Sequence, residues 1–286
     1  MTRLLAGREV FPVGYGAWPL STKGRPPEYK AVATVHAALE AGMTLIDTAD
    51  VYCRGEKELG HNERLIAKAL ASWSGERPMV ATKGGATRPH GRWGRDASPG
   101  HLRAACEASL TALGVERIDL YQLHSPDPAV PIEDSVGALT RLRDEGKIAH
   151  LGVSNVDRAQ LERACSVAAI ASVQNRASPY AAEGLADGVL DYCEANDIAF
   201  IAYSPVGGSD SGRTASEAPL CHVGDAIGAT PFEVALAWLL AKSPVLIPIP
   251  GARQAQNARS SARAAAMTLS AEHIASLDDA YGGVRR

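Results

Sequence analysis

Short apolar runs alternate along the chain with longer stretches of helical period. The runs are FPVGYGA (11–17), MTLID (43–47), PMVATK (78–83), IDLYQLH (118–124), IAHLGVSN (148–155), IASVQN (170–175), IAFIAYSP (198–205) and VLIPIPG (245–251). Nearly continuous apolar runs suit strands enclosed on both faces. The intervening stretches carry helix punctuation: PEYKAVATVHAALEAG stops at Gly42, and SPGHLRAACEASLTALG has Ser98 as N-cap, Pro99 at the first helical position and Gly114 as stop. Strand followed by helix recurs eight times with no compositional break. Such alternation means parallel strands joined by helical crossovers. Eight units in 286 residues predict a single (β/α)8 (TIM) barrel of parallel strands, one domain spanning 1–286, rather than an open doubly wound sheet.

The second run breaks its own rule. TLIDTADVY reads as a core strand through Ile46, then ends in Asp47, with Tyr52 five residues on. A carboxylate there is also what a helix cap or a turn uses. The other strands end in Gly16, Lys83, His124, Ser154-Asn155, Gln174-Asn175, Tyr203 and Pro250-Gly251. In a barrel all of these ends surround one mouth, where barrel enzymes carry their chemistry. Four ionisable or phenolic groups delivered to one rim read as chemistry rather than capping.

Composition excludes several classes. The formal charge is −3, and basic residues are dispersed, so neither nucleic acid nor a membrane is an expected partner. Five scattered cysteines without a C-x-x-C pair indicate neither a disulfide framework nor a zinc knuckle. The eight histidines contain no H-x-H or H-E-x-x-H pair, so no metal is expected. No apolar run reaches spanning length and the start lacks a signal-peptide core, which leads to an expected cytoplasmic location. GYGAW is too short for a dinucleotide fingerprint, and GGSDSG lacks the Lys-Ser/Thr of a P-loop.

GMTLIDTADVY, ATKGG, IDLYQLHSPD, GKIAHLGVSN, VQNR, FIAYSPVGG and LIPIPGAR together resemble the aldo-keto reductases, in order and over residues from about Phe11 to Leu277. The resemblance implies NAD(P)H-dependent reduction of an aldehyde or ketone, with a small-molecule carbonyl substrate. The catalytic set it implies is Asp47, Tyr52, Lys83 and His124: Tyr52 as general acid, Lys83 lowering its pKa, Asp47 holding Lys83, and His124 orienting the carbonyl. Its cofactor site falls on Gly16, Ala17, Trp18, Asp47, Ser154, Asn155, Gln174, Tyr203, Ser204, Pro205, Val206, Gly207, Gly208, Pro250, Gly251 and Arg253. Asn155 (with Ser154) and Gln174 are expected on the nicotinamide amide, Tyr203 stacked on its ring, the glycines of 204–208 near the pyrophosphate, and Arg253 at the adenosine end. Trp18, Tyr52, Trp93 and His124 are expected to contact substrate.

NADP(H) is the expected cofactor, with NAD(H) possible, because Arg253 and Arg259 suit a 2′-phosphate. One departure stands out: where relatives carry a Glu-Asn pair that grips adenine, this chain has Ser260-Ser261. The sequence runs to SLDDAYGGVRR, without the long tail of some relatives, so an open substrate pocket is expected. The loop GGATRPHGRWGRD, rich in arginine, is expected over the mouth and suits an anionic substrate. A second reading is a cofactor-binding regulatory or interaction protein resembling potassium-channel β subunits, which share the barrel. Oligomeric state is left open.

Overall fold

The computed structural model describes residues 2–208 and 211–282. Its centre is an eight-stranded parallel sheet: β1 (Tyr15–Gly16), β2 (Leu45–Asp47), β3 (Met79–Gly84), β4 (Ile118–Leu123), β5 (Ile148–Ser154), β6 (Ser172–Arg176), β7 (Ala199–Tyr203) and β8 (Leu246–Ile249). Neighbours in sequence are neighbours in space, and the ends meet. Gly14 N donates to Pro248 O at 2.9 Å, Gly16 N donates to Pro250 O at 3.1 Å, and Gly16 bridges Gly251 in parallel. Glycine is required at this seam, because a Cβ on Gly16 would lie 2.7 Å from Ile249 O.

Most helices between the strands, α1 (Glu28–Glu40) among them, bury one face, whereas Pro231–Leu240 is buried all round from Glu233 to Leu240. In α4 (Ile132–Asp144), Ile132, Val136, Leu139 and Leu142 recur at helical spacing, and all are buried. α3 (Pro99–Leu113) begins and ends as the sequence predicts: Ser98 Oγ accepts from His101 N, and Gly114 closes it in the left-handed region. α2 (His61–Ala71) starts after left-handed Gly60. A helix over Ala218–Ile227 precedes Pro231–Leu240, an addition to the expected pattern. Among the described residues no single helix is long and apolar enough to cross a membrane.

An N-terminal hairpin, Arg3–Leu5 against Arg8–Val10, has no counterpart in the sequence reading. Its turn residues Ala6 and Gly7 both have positive φ (54° and 75°), as the twist of a two-residue hairpin demands. Leu5 and Val10 plug the barrel floor against Leu45, Met79, Ala81, Leu120, Ala199, Ile201, Ile247 and Ile249. With alternate residues pointing inward, the layer above this apolar floor receives Asp47, Lys83 and Gln174.

Candidate active site

Period-two alternation explains why a carboxylate and an ammonium end up inside a barrel. Asp47 is two residues beyond inward-facing Leu45, and Lys83 two beyond Ala81; both are essentially buried, at 2% and 0% side-chain exposure. Such charges are tolerated only when paired and hydrogen-bonded. Lys83 Nζ donates to Asp47 Oδ1 and Oδ2, both at 2.7 Å, to Thr48 O at 2.9 Å, and to Tyr52 Oη at 3.0 Å. Gln174 Nε2 donates to Asp47 Oδ2 at 2.7 Å, and Tyr52 Oη lies 3.5 Å from Asp47 Oδ1. The four expected catalytic residues therefore converge: His124 stands edge-on to Tyr52, ring centroids 5.9 Å apart. His124 Nδ1 is buried with no hydrogen-bond partner among the described residues.

The electrostatics depart from the expectation that Lys83 lowers the pKa of Tyr52. Burial, then the Asp47 charge, holds the phenol well above its ordinary value. The physical reason is that Lys83 is matched charge for charge by Asp47 at 2.7 Å, so desolvation decides. Burial likewise pulls Lys83 below its ordinary value, with Asp47 opposing. Burial, with the Lys83 charge second, pushes the His124 imidazole down to about 3. The site thus presents a protonated phenol, an ammonium behind it, and a neutral imidazole beside it.

A cavity of about 660 Å³ opens above these groups. Of the expected cofactor and substrate residues, Gly16, Trp18, Asp47, Tyr52, Trp93, His124, Ser154, Asn155, Gln174, Tyr203, Ser204, Pro205, Val206, Gly208, Gly251 and Arg253 line it. Lys83 lies beneath the lining, and Ala17, Gly207 and Pro250 stand just outside it. Asn155 and Ser204 adopt positive φ (58° and 52°), a conformation that costs energy for residues other than glycine and clusters at functional sites. Asn155 is locked by bonds to His124 O (2.9 Å), Ser154 Oγ (3.1 Å) and Tyr203 Oη (2.8 Å).

At the far end the cavity meets the start of α8 (Ala255–Arg263; α5, α6 and α7 being Arg158–Val167, Val189–Ala195 and Pro231–Leu240), where Gln254 and Asn257 also line it. Sequence reasoning missed these two; their signal was a polar pair at helix-start spacing after Gly251. A helix N-terminus beside an arginine suits an anionic dinucleotide. At the 204–208 turn, Gly208 has a φ of +60° and a Cβ on it would come 2.7 Å from Ser204 Oγ, so the turn needs glycine there. The residues present therefore fit a nicotinamide dinucleotide.

Two expectations change at the edges, and the departure at Ser260 finds its partner. Arg259 does not join Arg253: its Nη2 donates to Glu40 Oε2 at 2.8 Å. Ser260, at the departure from the relatives' Glu-Asn pair, is engaged elsewhere: its hydroxyl donates to Glu233 Oε1 at 2.7 Å. In the loop after β3, folded as a small hairpin (Ala86–Thr87 with Gly94–Arg95), the aromatic ring and not the arginines lines the mouth. Arg88 stacks over Trp93 at 4.6 Å, and Trp93 stands edge-on to His124 at 6.0 Å.

Comparison with known proteins agrees with this geometry. Residues 12–281 match the sequence profile described as the Aldo/keto reductase family. An uncharacterized oxidoreductase of Schizosaccharomyces pombe is 33% identical over 273 residues, 93% of this chain and 85% of that protein. A glycerol dehydrogenase from Gluconobacter oxydans superposes with a TM-score of 0.85 at 27% identity, covering 100% of this chain and 97% of its own. An aldo-keto reductase from Klebsiella pneumoniae, solved in complex with NADPH, gives 0.84 at 25% identity, covering 100% and 98%.

Proposed function

Because the chain belongs to the aldo/keto reductase family, we propose that it reduces an aldehyde or ketone to the alcohol, using NADPH in preference to NADH, with Tyr52 as general acid. The observation that carries this reading is the Tyr52 hydroxyl, held 3.0 Å from the Lys83 ammonium at the floor of the cavity. When bound, a reduced nicotinamide supplies the two electrons and the hydrogen that the carbonyl carbon gains. The residues that would hold it are Ser154, Asn155, Gln174 and Tyr203 at one end, the 204–208 turn along the middle, and Gly251 to Asn257 at the other.

The protein's own part is the proton. Tyr52 Oη keeps its proton across the working pH range, because its pKa is raised. As negative charge grows on the carbonyl oxygen, Tyr52 Oη donates to it, and the resulting phenolate is received by Lys83 Nζ. The neutral His124 imidazole has one ring N–H to give, which orients the carbonyl oxygen toward Tyr52. Alcohol oxidation, the reverse, needs the phenolate and should therefore rise toward alkaline pH.

NADPH preference is supported by Arg253 alone of the two arginines. Its guanidinium donates to Lys23 O (3.0 Å) and Pro19 O (3.4 Å), which steadies it at the cavity edge with further N–H groups for a phosphate. NADPH bound to the Klebsiella pneumoniae neighbour supports the same choice. The substrate faces Trp18, Tyr52, Trp93 and His124, with Trp18 43% and Trp93 54% exposed, so a carbonyl compound with a flat or apolar body suits the mouth better than an anion.

The test is NADPH oxidation followed by absorbance with a panel of aldehydes and ketones, including a matched acid and ester, in wild type and Tyr52→Phe. Positioned acid catalysis contributes about 10²–10⁴-fold, so kcat should fall by that order in the variant while NADPH still binds. Wild-type turnover in Tyr52→Phe would sink the assignment.

A further inference from the structure

A chain of buried polar side chains lies behind the Tyr52–Lys83–Asp47 arrangement, and the chemistry above does not use it. One of the Lys83 Nζ bonds goes to Thr48 O, 2.9 Å away. The Thr48 hydroxyl donates to Asn62 Oδ1 at 2.6 Å. Asn62 Nδ2 in turn donates to Ala17 O at 2.9 Å and to Ser21 Oγ at 2.7 Å. Ser21 Oγ lies 2.8 Å from His61 Nδ1. Ser21, Thr48 and Asn62 are all 0% exposed.

Asn62 is the second residue of α2, a position where a polar side chain usually faces water or caps its own helix. Here both of its amide hydrogens and its carbonyl oxygen are spent on two other segments, the β2 end and the segment after β1. If packing were the only need, an apolar side chain would serve with less desolvation. We propose that Asn62 is a positioning residue for the reaction: it fixes the Thr48 segment whose carbonyl seats the Lys83 ammonium against Tyr52. Through Ala17 O and Ser21 it anchors, in the same stroke, the segment that carries Trp18 at the substrate mouth. One side chain thereby ties proton donor and substrate wall to a single reference point. Ala17 N, which donates to Asp47 O at 2.9 Å, adds a second tie between the same two segments.

This inference rests on the reductase reading of the site, and its test keeps the two separable. The groups that face the Lys83–Tyr52 pair are Asp47 and Asp50 from the β2 end, Glu63 of α2, His124 after β4 and Tyr203 of β7. None of them is altered by Asn62→Ala or by Thr48→Val, the near-isosteric change that removes only the hydroxyl donor. A displacement of about 1 Å costs on the order of 10²-fold in rate. Both variants should therefore lose about tenfold or more in kcat for carbonyl reduction, with the NADPH dissociation constant unchanged in Thr48→Val, which leaves the Asn62 bonds to Ala17 and Ser21 in place.

Thr48→Ser, which retains the hydroxyl, should stay close to wild type. A readout independent of turnover is the ammonium resonance of Lys83 in isotope-labelled protein, assigned with Lys83→Met. It should shift, and exchange with solvent faster, in Asn62→Ala and Thr48→Val. Loss of thermal stability with kcat and the Lys83 resonance both at wild-type values would overturn the proposal and leave Asn62 a purely structural residue. A wild type that reduces no carbonyl compound would instead fell the reductase reading, while the Lys83 resonance would still decide whether Asn62 positions the ammonium.

Discussion

Replacing Lys83 by Met separates what the buried ion pair does for stability from what it does for catalysis. Methionine matches the length of the lysine stem, so the change removes charge and hydrogen bonds with little change in packing. Four contacts disappear: two to Asp47 at 2.7 Å, one to Thr48 O at 2.9 Å and one to Tyr52 Oη at 3.0 Å. What remains is a carboxylate at 2% exposure with Gln174 Nε2 as its main partner. Breaking a buried pair in this way costs about 3–5 kcal/mol, most of it the penalty of the stranded charge. Against a typical total of about 5–15 kcal/mol that is a large loss, easily read in equilibrium urea unfolding.

The second half of the experiment is Asp47→Asn in the Lys83→Met background. With neither charge present the penalty is relieved, and the double variant should regain about 2 kcal/mol or more over the single one. Activity should not follow. On the proposed reading both variants lack the group that receives the Tyr52 phenolate, so kcat for reduction stays down by about 10²-fold or more in each. A Lys83→Met protein as stable as wild type, or a double variant no more stable than the single, would refute the account of a charge-matched buried pair. Recovery of turnover together with stability would refute the catalytic role.

Two further outcomes follow from the same geometry. Arg253→Ala should weaken NADPH binding by about 1.5–3 kcal/mol, roughly 10- to 150-fold, and leave NADH little changed, as measured by fluorescence titration; equal effects on both cofactors would remove Arg253 from the phosphate. The His124 imidazole titrates at about 3 in the fold, against about 6.5 in the unfolded chain. Between those values the unfolded chain binds the extra proton, so His124 makes stability fall as pH drops from about 6.5 toward 3. His124→Asn should flatten that part of the urea-midpoint profile, whereas an unchanged slope would mean that His124 is not held neutral.

Much of the site is legible from local pattern. Period two alone puts Asp47 on the face of Leu45, and Lys83 on the face of Ala81, whatever the rest of the chain does. The eightfold alternation of strand and helix predicts which ends share a mouth, and the structure seals that barrel through Gly14 and Gly16. The N-terminal hairpin escaped because its strands have three residues each and its turn is Ala6-Gly7, without the asparagine that commonly marks such a turn. Only the tertiary structure decided the rest. The high pKa of Tyr52 comes from desolvation and from a carboxylate that cancels Lys83, and both depend on burial that no single segment possesses. Arg259 reads as a phosphate ligand until Glu40, 219 positions away, pairs with it. Arg88 reads as an anion trap until it lies on the Trp93 ring. Asn62 is one polar residue at a helix start until Thr48, Ala17 and Ser21 close around it. Direction along a strand is a short-range property of the backbone, carried in the sequence itself; charge matching, desolvation and hydrogen-bond partnership are set by distances between segments, which exist only once the chain has folded.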